Sequence, residues 1–182
     1  MKIVFVCHGE VEPRSGLPDF GHDVPPLSEL GRRQAAALAA GLASRQPAAV
    51  YASPLRPALT TAELIAAALG LDAPSPSAAF TTLTPEVLPD GGSVGAEALH
   101  ALQTQAWSAV EALKGLHPAE ANLVVVSHVL PIRAVVGRAL SLPFADLWRF
   151  AVEPASLTTI EFRGVRTLLA GLNDTCHLSP SA

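Results

Sequence analysis

Two histidines stand at the ends of apolar runs that have the pattern of buried strands. His8 ends the run 3–7, and His128 ends the run 123–127. A third junction of this kind, residues 52–54, closes another short apolar run. Helices are expected to follow two of the three junctions, and the free N–H groups and partial positive charge of helix N-termini attract anions. The residues therefore predict a pocket for a phosphate or a carboxylate group.

Such a pocket needs strands whose carboxyl ends meet at one edge of a sheet. Apolar runs predict three short buried strands, over residues 3–7, 48–52 and 123–126. Apolar positions at helical spacing predict four helices, over residues 28–42, 53–69, 93–115 and 131–140. Segments 156–162 and 165–172 predict a C-terminal antiparallel pair. Alternating strands and helices pack in layers, so we expect an α/β fold, a three-layer α/β/α sandwich with a mostly parallel central sheet.

Several residues mark where the elements begin. Ser28 is expected to cap the first helix, Ser53 and Pro54 to open the second as a cap and first-turn pair, and Pro131 to start the fourth. The first helix is expected to direct four residues inward: Leu30, Ala35, Leu38 and Leu42. Residues 79–83 have the pattern of a weak strand.

Length and composition limit the fold and the partners. A chain of 182 residues that is 49% hydrophobic is expected to form one domain over residues 1–182. A formal charge of -4 and a pI near 5.8 argue against a nucleic-acid surface or a polybasic membrane patch. Cys7 and Cys176 lack metal-type spacing, and two thiols without an export or membrane-spanning segment predict a cytoplasmic protein. Nothing in the sequence indicates an oligomeric state.

Five segments, in order, resemble motifs of the histidine phosphatase superfamily, which includes the cofactor-dependent phosphoglycerate mutases and many small phosphatases. Residues 7–10 are similar to R-H-G-E/T, and residues 23–35 to D-x-P-L-T-x-x-G-x-x-Q-A. Residues 53–62 resemble S-P-L-x-R-A-x-x-T-A, residues 124–128 the V-V-x-S-H strand, and residues 173–178 the N-x-x-x-H-L ending. The resemblance covers nearly the whole chain.

The resemblance implies a covalent reaction on a small phosphorylated substrate. His8 would attack the phosphoryl group to form a phosphohistidine, and water or an acceptor hydroxyl would then take the phosphoryl group on. His128 would hold the transferring oxygens, and an acid would protonate the leaving group. Glu86 is our candidate for that acid, with Asp90 and then Glu10 as alternatives. No metal and no cofactor is expected.

Substrate or inorganic phosphate is expected to contact five residues, which are Gly9, Glu10, Ser53, Arg14 and Arg56.

Two positions depart from the motifs. Cys7 stands where the family has arginine before the histidine, and Pro57 stands where S-P-L-x-R has its arginine. Arginines there would clamp the phosphoryl oxygens with charge-assisted forks. Losing one such donor typically costs about 100- to 1000-fold in turnover, so the loss of both costs roughly 10⁴- to 10⁶-fold unless other groups compensate, although such effects are rarely additive. Three arginines are candidates for compensation: Arg14, Arg56 and Arg133.

The departures leave alternatives to a phosphatase. One is a catalytically inactive descendant that binds an anion or a partner protein. A mutase is less favoured, because handling phosphate at two ends of a substrate needs more cations than this loop supplies. Cys7 is either a small apolar plug in the space of the missing arginine or a reactive thiol. A metal site made of Cys7, His8 and His128 is a further, weaker alternative. All versions of the phosphatase hypothesis require the rings of His8 and His128 to meet.

Overall fold

The computed structural model of the chain describes residues 1–13, 25–83 and 95–179. The strands are β1 (Lys2–Cys7), β2 (Ala49–Ala52), β3 (Ser75–Pro76), β4 (Asn122–Ser127), β5 (Leu157–Arg163) and β6 (Arg166–Asp174). The α-helices are α1 (Glu29–Ala43), α2 (Arg56–Leu69), α3 (Ala96–Leu116) and α4 (Val129–Ala139). None of the helices in these ranges is long and apolar enough to cross a membrane.

The strands form one six-stranded sheet in the order β3-β2-β4-β1-β5-β6. Strands β3, β2, β4 and β1 are parallel neighbours, whereas β5 runs antiparallel to both β1 and β6. The expected mostly parallel sheet with a C-terminal antiparallel pair is confirmed. In addition, the β5–β6 pair is placed directly beside β1, so it borders the strand that ends at His8.

Helices cover the two faces of the sheet. Alternate residues of β1 and β4 point to opposite faces, because side chains alternate along a strand. On one face, Phe5 and Val125 pack among residues of α3 and α4. On the other, Val4 and Val124 pack among residues of α1 and α2. The three-layer arrangement is therefore confirmed, and the central strands are buried on both sides.

The start of α1 is as expected, but one inward position is not. Ser28 is the N-cap, and its Oγ accepts a hydrogen bond from the Gly31 N–H at 3.0 Å. Ala35, Leu38 and Leu42 are buried, whereas Leu30 is 41% exposed. Leu30 lies in the first turn of the helix, between the exposed Glu29 and the buried Gly31.

Other predicted boundaries are wrong by a few residues, each for a local reason. Helix α2 begins at Arg56 with Leu55 as N-cap, so Ser53 and Pro54 precede the helix, and the Ser53 hydroxyl accepts from the Leu55 N–H rather than from a residue within the helix. Helix α4 begins at Val129, so Pro131 lies in its first turn rather than at its start. Leu140, the last residue of the predicted fourth helix, is the C-cap of α4 and is 42% exposed.

The predicted strand over residues 79–83 is also wrong. A short 3₁₀ turn, Ala78–Phe80, occupies this region, and the third strand is the earlier Ser75–Pro76. The Phe80 side chain is buried in the core, and its carbonyl accepts a hydrogen bond from the Ser127 hydroxyl at 2.7 Å. Tertiary anchoring of Phe80 beside β4 therefore replaces the strand that local propensity suggests.

Candidate functional site

The register of β1 and β4 brings the two histidines together. Cys7 lies opposite Ser127 in the parallel pairing, so His8 and His128 leave the sheet at the same edge. The His8 N–H donates to the Ser127 carbonyl at 3.0 Å. The two ring centroids are 5.0 Å apart, with the planes inclined at 70°. The meeting of the rings that the phosphatase hypothesis requires is thus observed.

A backbone contact sets the protonation of the His8 ring. The Nδ1 atom of His8 lies 2.8 Å from the carbonyl oxygen of Gly9. A carbonyl oxygen only accepts, so Nδ1 carries the proton in this contact and the neutral ring has its lone pair on Nε2. His8 therefore presents a nucleophilic nitrogen whose orientation is fixed from the other side of the ring.

Burial keeps both imidazoles uncharged. It lowers the pKa of His128 from 6.5 to about 3, and the proximity of His8 lowers it further in the same direction. The pKa of His8 is also lowered by burial, which outweighs the opposing effect of its bond to Gly9. At neutral pH the site is a pair of neutral rings, one of which is ready to attack an electrophile.

Ser53 supports the second histidine. Its Oγ lies 2.9 Å from Nε2 of His128, accepts from the Leu55 N–H at 3.3 Å and lies 3.4 Å from the Thr81 hydroxyl. Ser53 is fully buried, so these contacts satisfy a polar group that water does not reach. Ser53 therefore lies in the site as expected, and Thr81 is a neighbour that the sequence did not indicate.

Gly9 and Glu10 shape the turn rather than present free groups to a ligand. The Gly9 N–H donates to the Thr61 hydroxyl at 3.2 Å. A Cβ on Gly9 would lie 2.5 Å from the Gly31 carbonyl oxygen, so only glycine permits this approach to α1. The Glu10 carboxylate accepts from the Ser28 hydroxyl at 2.8 Å. These groups join the His8 turn to the start of α1, and the predicted contact of both residues with substrate stays a prediction.

The two positions that lack arginine are filled by apolar groups. Cys7 is 1% exposed and packs in the core between the sheet and helices α3 and α4. Burial, with a smaller contribution from Glu153, raises the pKa of its thiol to about 12. Pro57 is buried in the first turn of α2. The interpretation of Cys7 as an apolar plug is confirmed, and the reactive-thiol alternative is wrong, because no thiolate forms near neutral pH.

The candidate replacements for those arginines lie elsewhere or outside the described residues. Arg133 donates to the Phe150 carbonyl at 3.0 Å and stacks over Trp148, so its guanidinium is already bonded to residues other than the histidines. The Arg56 side chain is exposed and makes no hydrogen bond with any described residue. Arg14 lies outside the described residues, as do Glu86 and Asp90, and their predicted roles stay predictions.

A tight turn at residues 153–156 is a part of the site that the sequence did not indicate. The Ala155 N–H lies 3.1 Å from the Cys7 carbonyl and 3.0 Å from the His8 carbonyl, and donates to both. The Cys7 N–H donates to the Ser156 carbonyl at 3.1 Å. The backbone that carries His8 is therefore held by this turn, which no local motif marks.

Comparisons with known proteins agree with this geometry. The family profile described as Histidine phosphatase superfamily (branch 1) matches residues 3–77 and 74–175. Phosphoserine phosphatase 1 of Hydrogenobacter thermophilus is 28% identical, over 98% of this chain and 94% of that protein.

Two solved structures have the same fold. Bacillus stearothermophilus YhfR matches with a TM-score of 0.79 at 20% identity, covering 98% of this chain and 99% of that one. The mycobacterial glucosyl-3-phosphoglycerate phosphatase Rv2419c, in complex with VO3, matches with a TM-score of 0.76 at 22% identity, covering 96% and 99%. At these identities the likeness shows the shared fold.

Proposed function

This chain belongs to the histidine phosphatase superfamily, and we propose that it hydrolyses a small phosphomonoester through a phosphohistidine on His8. The observation that carries the proposal is the pair of neutral, buried rings 5.0 Å apart at the carboxyl edge of the sheet. The Nδ1–H contact to Gly9 leaves Nε2 of His8 unprotonated, which is the form that a nucleophile needs.

The reaction has two displacements at phosphorus. Nε2 of His8 forms a bond to phosphorus while the ester P–O bond breaks, and the leaving oxygen takes a proton from an acid. Water then attacks phosphorus, the N–P bond breaks, and inorganic phosphate leaves with the His8 ring restored. Glu86 is our proposed acid in the first step, from its place in the family pattern, and the same group would accept the proton of water in the second.

His128 is proposed to face the transferring oxygens. Its ring is directed by Ser53 and is followed at once by α4, whose N-terminal N–H groups favour negative charge. A bound phosphate would favour protonation of a ring that is neutral in the empty site, because an anion stabilises the imidazolium. Part of the charge that two arginines would supply is then supplied by proton uptake at the histidine pair.

The substrate is proposed to be a small phosphorylated metabolite. Relatives named as a phosphoserine phosphatase and a glucosyl-3-phosphoglycerate phosphatase act on such compounds. Because Cys7 and Pro57 fill the positions of the two clamping arginines, we expect weak phosphate binding and low turnover compared with a member that has both.

A second candidate function has its own support in the same two residues. Cys7 and Pro57 are buried and form part of the packing, so apolar packing replaces the two cationic groups of the clamp in this chain. Without those groups to stabilise the transition state, the site would bind an anion through the histidines and the start of α4, or bind a partner, without turnover. The partner in that case would contact the same edge of the sheet.

One experiment distinguishes the two candidates. The purified protein is incubated with p-nitrophenyl phosphate, phosphoserine, 3-phosphoglycerate and glucosyl-3-phosphoglycerate, and phosphate release is compared for wild type and His8→Ala. The phosphatase predicts release that falls by at least about 1000-fold in the variant, since the nucleophile is lost. Equal rates in both proteins would overturn it.

The covalent step has a separate readout. ³²P-labelled substrate is mixed with the enzyme and the mixture is quenched in alkali, where a phosphohistidine survives. The labelled peptide is identified under alkaline conditions, and a parallel sample is treated with acid to test whether the label is lost. Label on the peptide that contains His8, lost in acid, supports the proposal. Turnover without such label would contradict the phosphohistidine route, and binding of phosphate without turnover or label would favour the second candidate.

A further inference from the structure

The segment 173–178, which resembles the N-x-x-x-H-L ending, has no part in the chemistry described so far. It contains the last residues of β6 and a short 3₁₀ turn, Cys176–Leu178. Leu178 packs against the core layer that α1 and α2 cover. The segment is placed close to the turn at residues 153–156, on the side away from His8.

The turn has an unusual backbone. Ala155 has a φ of +57°, in the left-handed region that residues other than glycine rarely adopt. This conformation allows the Ala155 N–H to reach the carbonyl groups of both Cys7 and His8. A strained residue persists only where its surroundings hold it, so the groups bonded to the rest of the turn determine whether that contact is kept.

Two side chains of the C-terminal segment hold the turn from its other side. Nε2 of His177 lies 2.9 Å from the Ala155 carbonyl and donates to it, because the oxygen only accepts. Oδ1 of Asn173 accepts from the Glu153 N–H at 2.7 Å. Asn173 is itself left-handed, with a φ of +51°, beside an irregularity in the β5–β6 pairing. The turn is therefore bonded to His8 on one side and to Asn173 and His177 on the other.

The His177 ring is placed so that this is its one polar contact among the described residues. Nδ1 is buried without a partner there. A Cβ on Gly41 would lie 2.9 Å from the His177 Cβ, so the glycine of α1 makes room for the side chain. Burial lowers the pKa of His177, which keeps the ring neutral. The ring is packed against α1 and offers its single N–H to Ala155.

We propose that His177, together with Asn173, is a positioning residue that fixes the backbone of His8 through the turn at residues 153–156. The connection runs from the His177 N–H to the Ala155 carbonyl, and from the Ala155 N–H to the carbonyl groups of Cys7 and His8. The expected effect of His177 on turnover rests on the proposed phosphatase function. The expected effect of His177 on the conformation of the turn does not depend on that function.

The test compares three variants. His177→Phe keeps a ring and removes the N–H donor, His177→Gln keeps a donor at a similar reach, and Leu178→Ala removes packing in the same 3₁₀ turn without touching Ala155. We expect His177→Phe to lower kcat by about tenfold to a hundredfold with little change in KM, since misplacing a nucleophile affects the chemical step. His177→Gln should restore most of kcat, and Leu178→Ala should lower stability while kcat stays close to wild type.

A measurement without substrate separates this proposal from the function. Amide hydrogen exchange at Ala155 is followed by NMR, with Val110 in α3 as an internal reference for global opening. His177→Phe should speed exchange at Ala155 by about tenfold or more relative to Val110, because local opening is then easier. His177→Gln should not.

The outcomes are distinct. Unchanged exchange at Ala155 in His177→Phe would overturn the proposal, as would equal losses of kcat in His177→Phe and Leu178→Ala at equal stability. If wild type proves to have no phosphatase activity, the proposed function fails, and the exchange measurement still decides whether His177 holds the turn.

Discussion

Two polar regions of the molecule differ in the environment of their side chains. At the carboxyl edge of the parallel strands, His8 and His128 are buried, uncharged and 5.0 Å apart. A charged cleft of about 450 Å³ begins at the amino ends of β1 and β4, extends along the sheet to the end of β6, and is lined by residues that include Lys2, Arg45 and Asp174. The cleft contains ionised side chains, whereas the two rings at the carboxyl edge are neutral.

The difference shows that volume and charge do not by themselves identify a site. Arg45 donates to the Thr159 hydroxyl at 3.0 Å and lies 3.9 Å from Asp174, so its charge is already partnered and partly solvated. The histidines, by contrast, are buried away from water, which keeps both rings, including that of the proposed nucleophile His8, unprotonated at neutral pH. Desolvated groups that converge at one strand edge are therefore the better indicator of function in this fold.

The largest expected effect tests which of the two regions carries the reaction. His128→Ala should lower kcat by about 100- to 1000-fold, because it removes a group proposed to face the transferring oxygens. Arg45→Ala, in the charged cleft, should leave kcat nearly unchanged. Steady-state kinetics on the best substrate of the panel measures both, with circular dichroism to verify folding. Similar losses in the two variants would show that the two regions do not differ in this way.

Acid should destabilise the protein through the carboxyl edge first. The unfolded state binds a proton on His128 near pH 6.5, whereas the folded state does so only near pH 3. The free energy of unfolding therefore falls as the pH drops between these values, by an amount on the order of a few kcal/mol. Urea unfolding as a function of pH measures it, and His128→Gln should flatten this part of the curve.

The charged cleft provides the control for acid. The hydrogen bond from the Cys176 N–H lowers the pKa of Asp174 below 3.8, so its contribution to stability is present above that pH and is lost only as the pH falls further. Asp174→Asn should therefore leave the acid destabilisation between pH 6.5 and 4 in place, since its one effect on a group that titrates there is to lower the pKa of His177 further. A loss of that destabilisation in Asp174→Asn would contradict the assignment to His128.

An arginine at position 7 should make the Tm of the protein more sensitive to phosphate. Cys7→Arg places a charge at a position that is 1% exposed, so we expect a clearly lower Tm without ligand. Inorganic phosphate should raise the Tm of this variant more than that of wild type, because the ligand binds the folded state and pairs with the new charge. Cys7→Ala is the control without charge. Equal phosphate effects in wild type and Cys7→Arg would mean that the new arginine does not reach the pocket.

If Cys7→Arg together with Pro57→Arg also raises turnover, the missing clamp alone limits the activity of this chain.

The smallest expected effect concerns the ion pair of the charged cleft. The Arg45 and Asp174 side chains are 34% and 39% exposed, and their closest atoms are 3.9 Å apart. A double-mutant cycle of Arg45→Ala and Asp174→Ala should give a coupling free energy of no more than about 1 kcal/mol, because exposed pairs contribute little. The cycle is needed because Arg45→Ala alone also removes the hydrogen bond to Thr159. Urea unfolding at neutral pH measures the coupling, and raising the salt concentration should reduce it. A larger coupling would show that the ion pair stabilises the fold more than its exposure suggests.

The order of elements and the meeting of the histidines could be predicted from the sequence. Buried strands have recognisable apolar runs, and parallel strands deliver the residues that follow them to one edge, so His8 and His128 were expected to meet. The cap at Ser28 was also predictable, because capping depends on a side chain and backbone only a few residues apart.

Contacts between distant segments were not predictable in this way. Residues 79–83 have strand propensity, yet Ser127 and the core hold Phe80 in a 3₁₀ turn. The Glu10 carboxylate was a candidate for the pocket, and the structure turns it to Ser28. No local sequence pattern predicts that β5 lies beside β1. The position of the turn at residues 153–156, which holds the backbone of His8, follows from that strand order.

The sequence by itself determined which strands end in histidine and which two arginines are missing. Tertiary structure decided that both rings are neutral, that Cys7 is inert and that His177 reaches Ala155. The physical reason is that periodicity and capping act over a few residues, whereas desolvation and hydrogen-bond partners depend on what packs from elsewhere in the chain. Residue identity places a histidine at the edge, and the surrounding helices and turns set its charge and orientation.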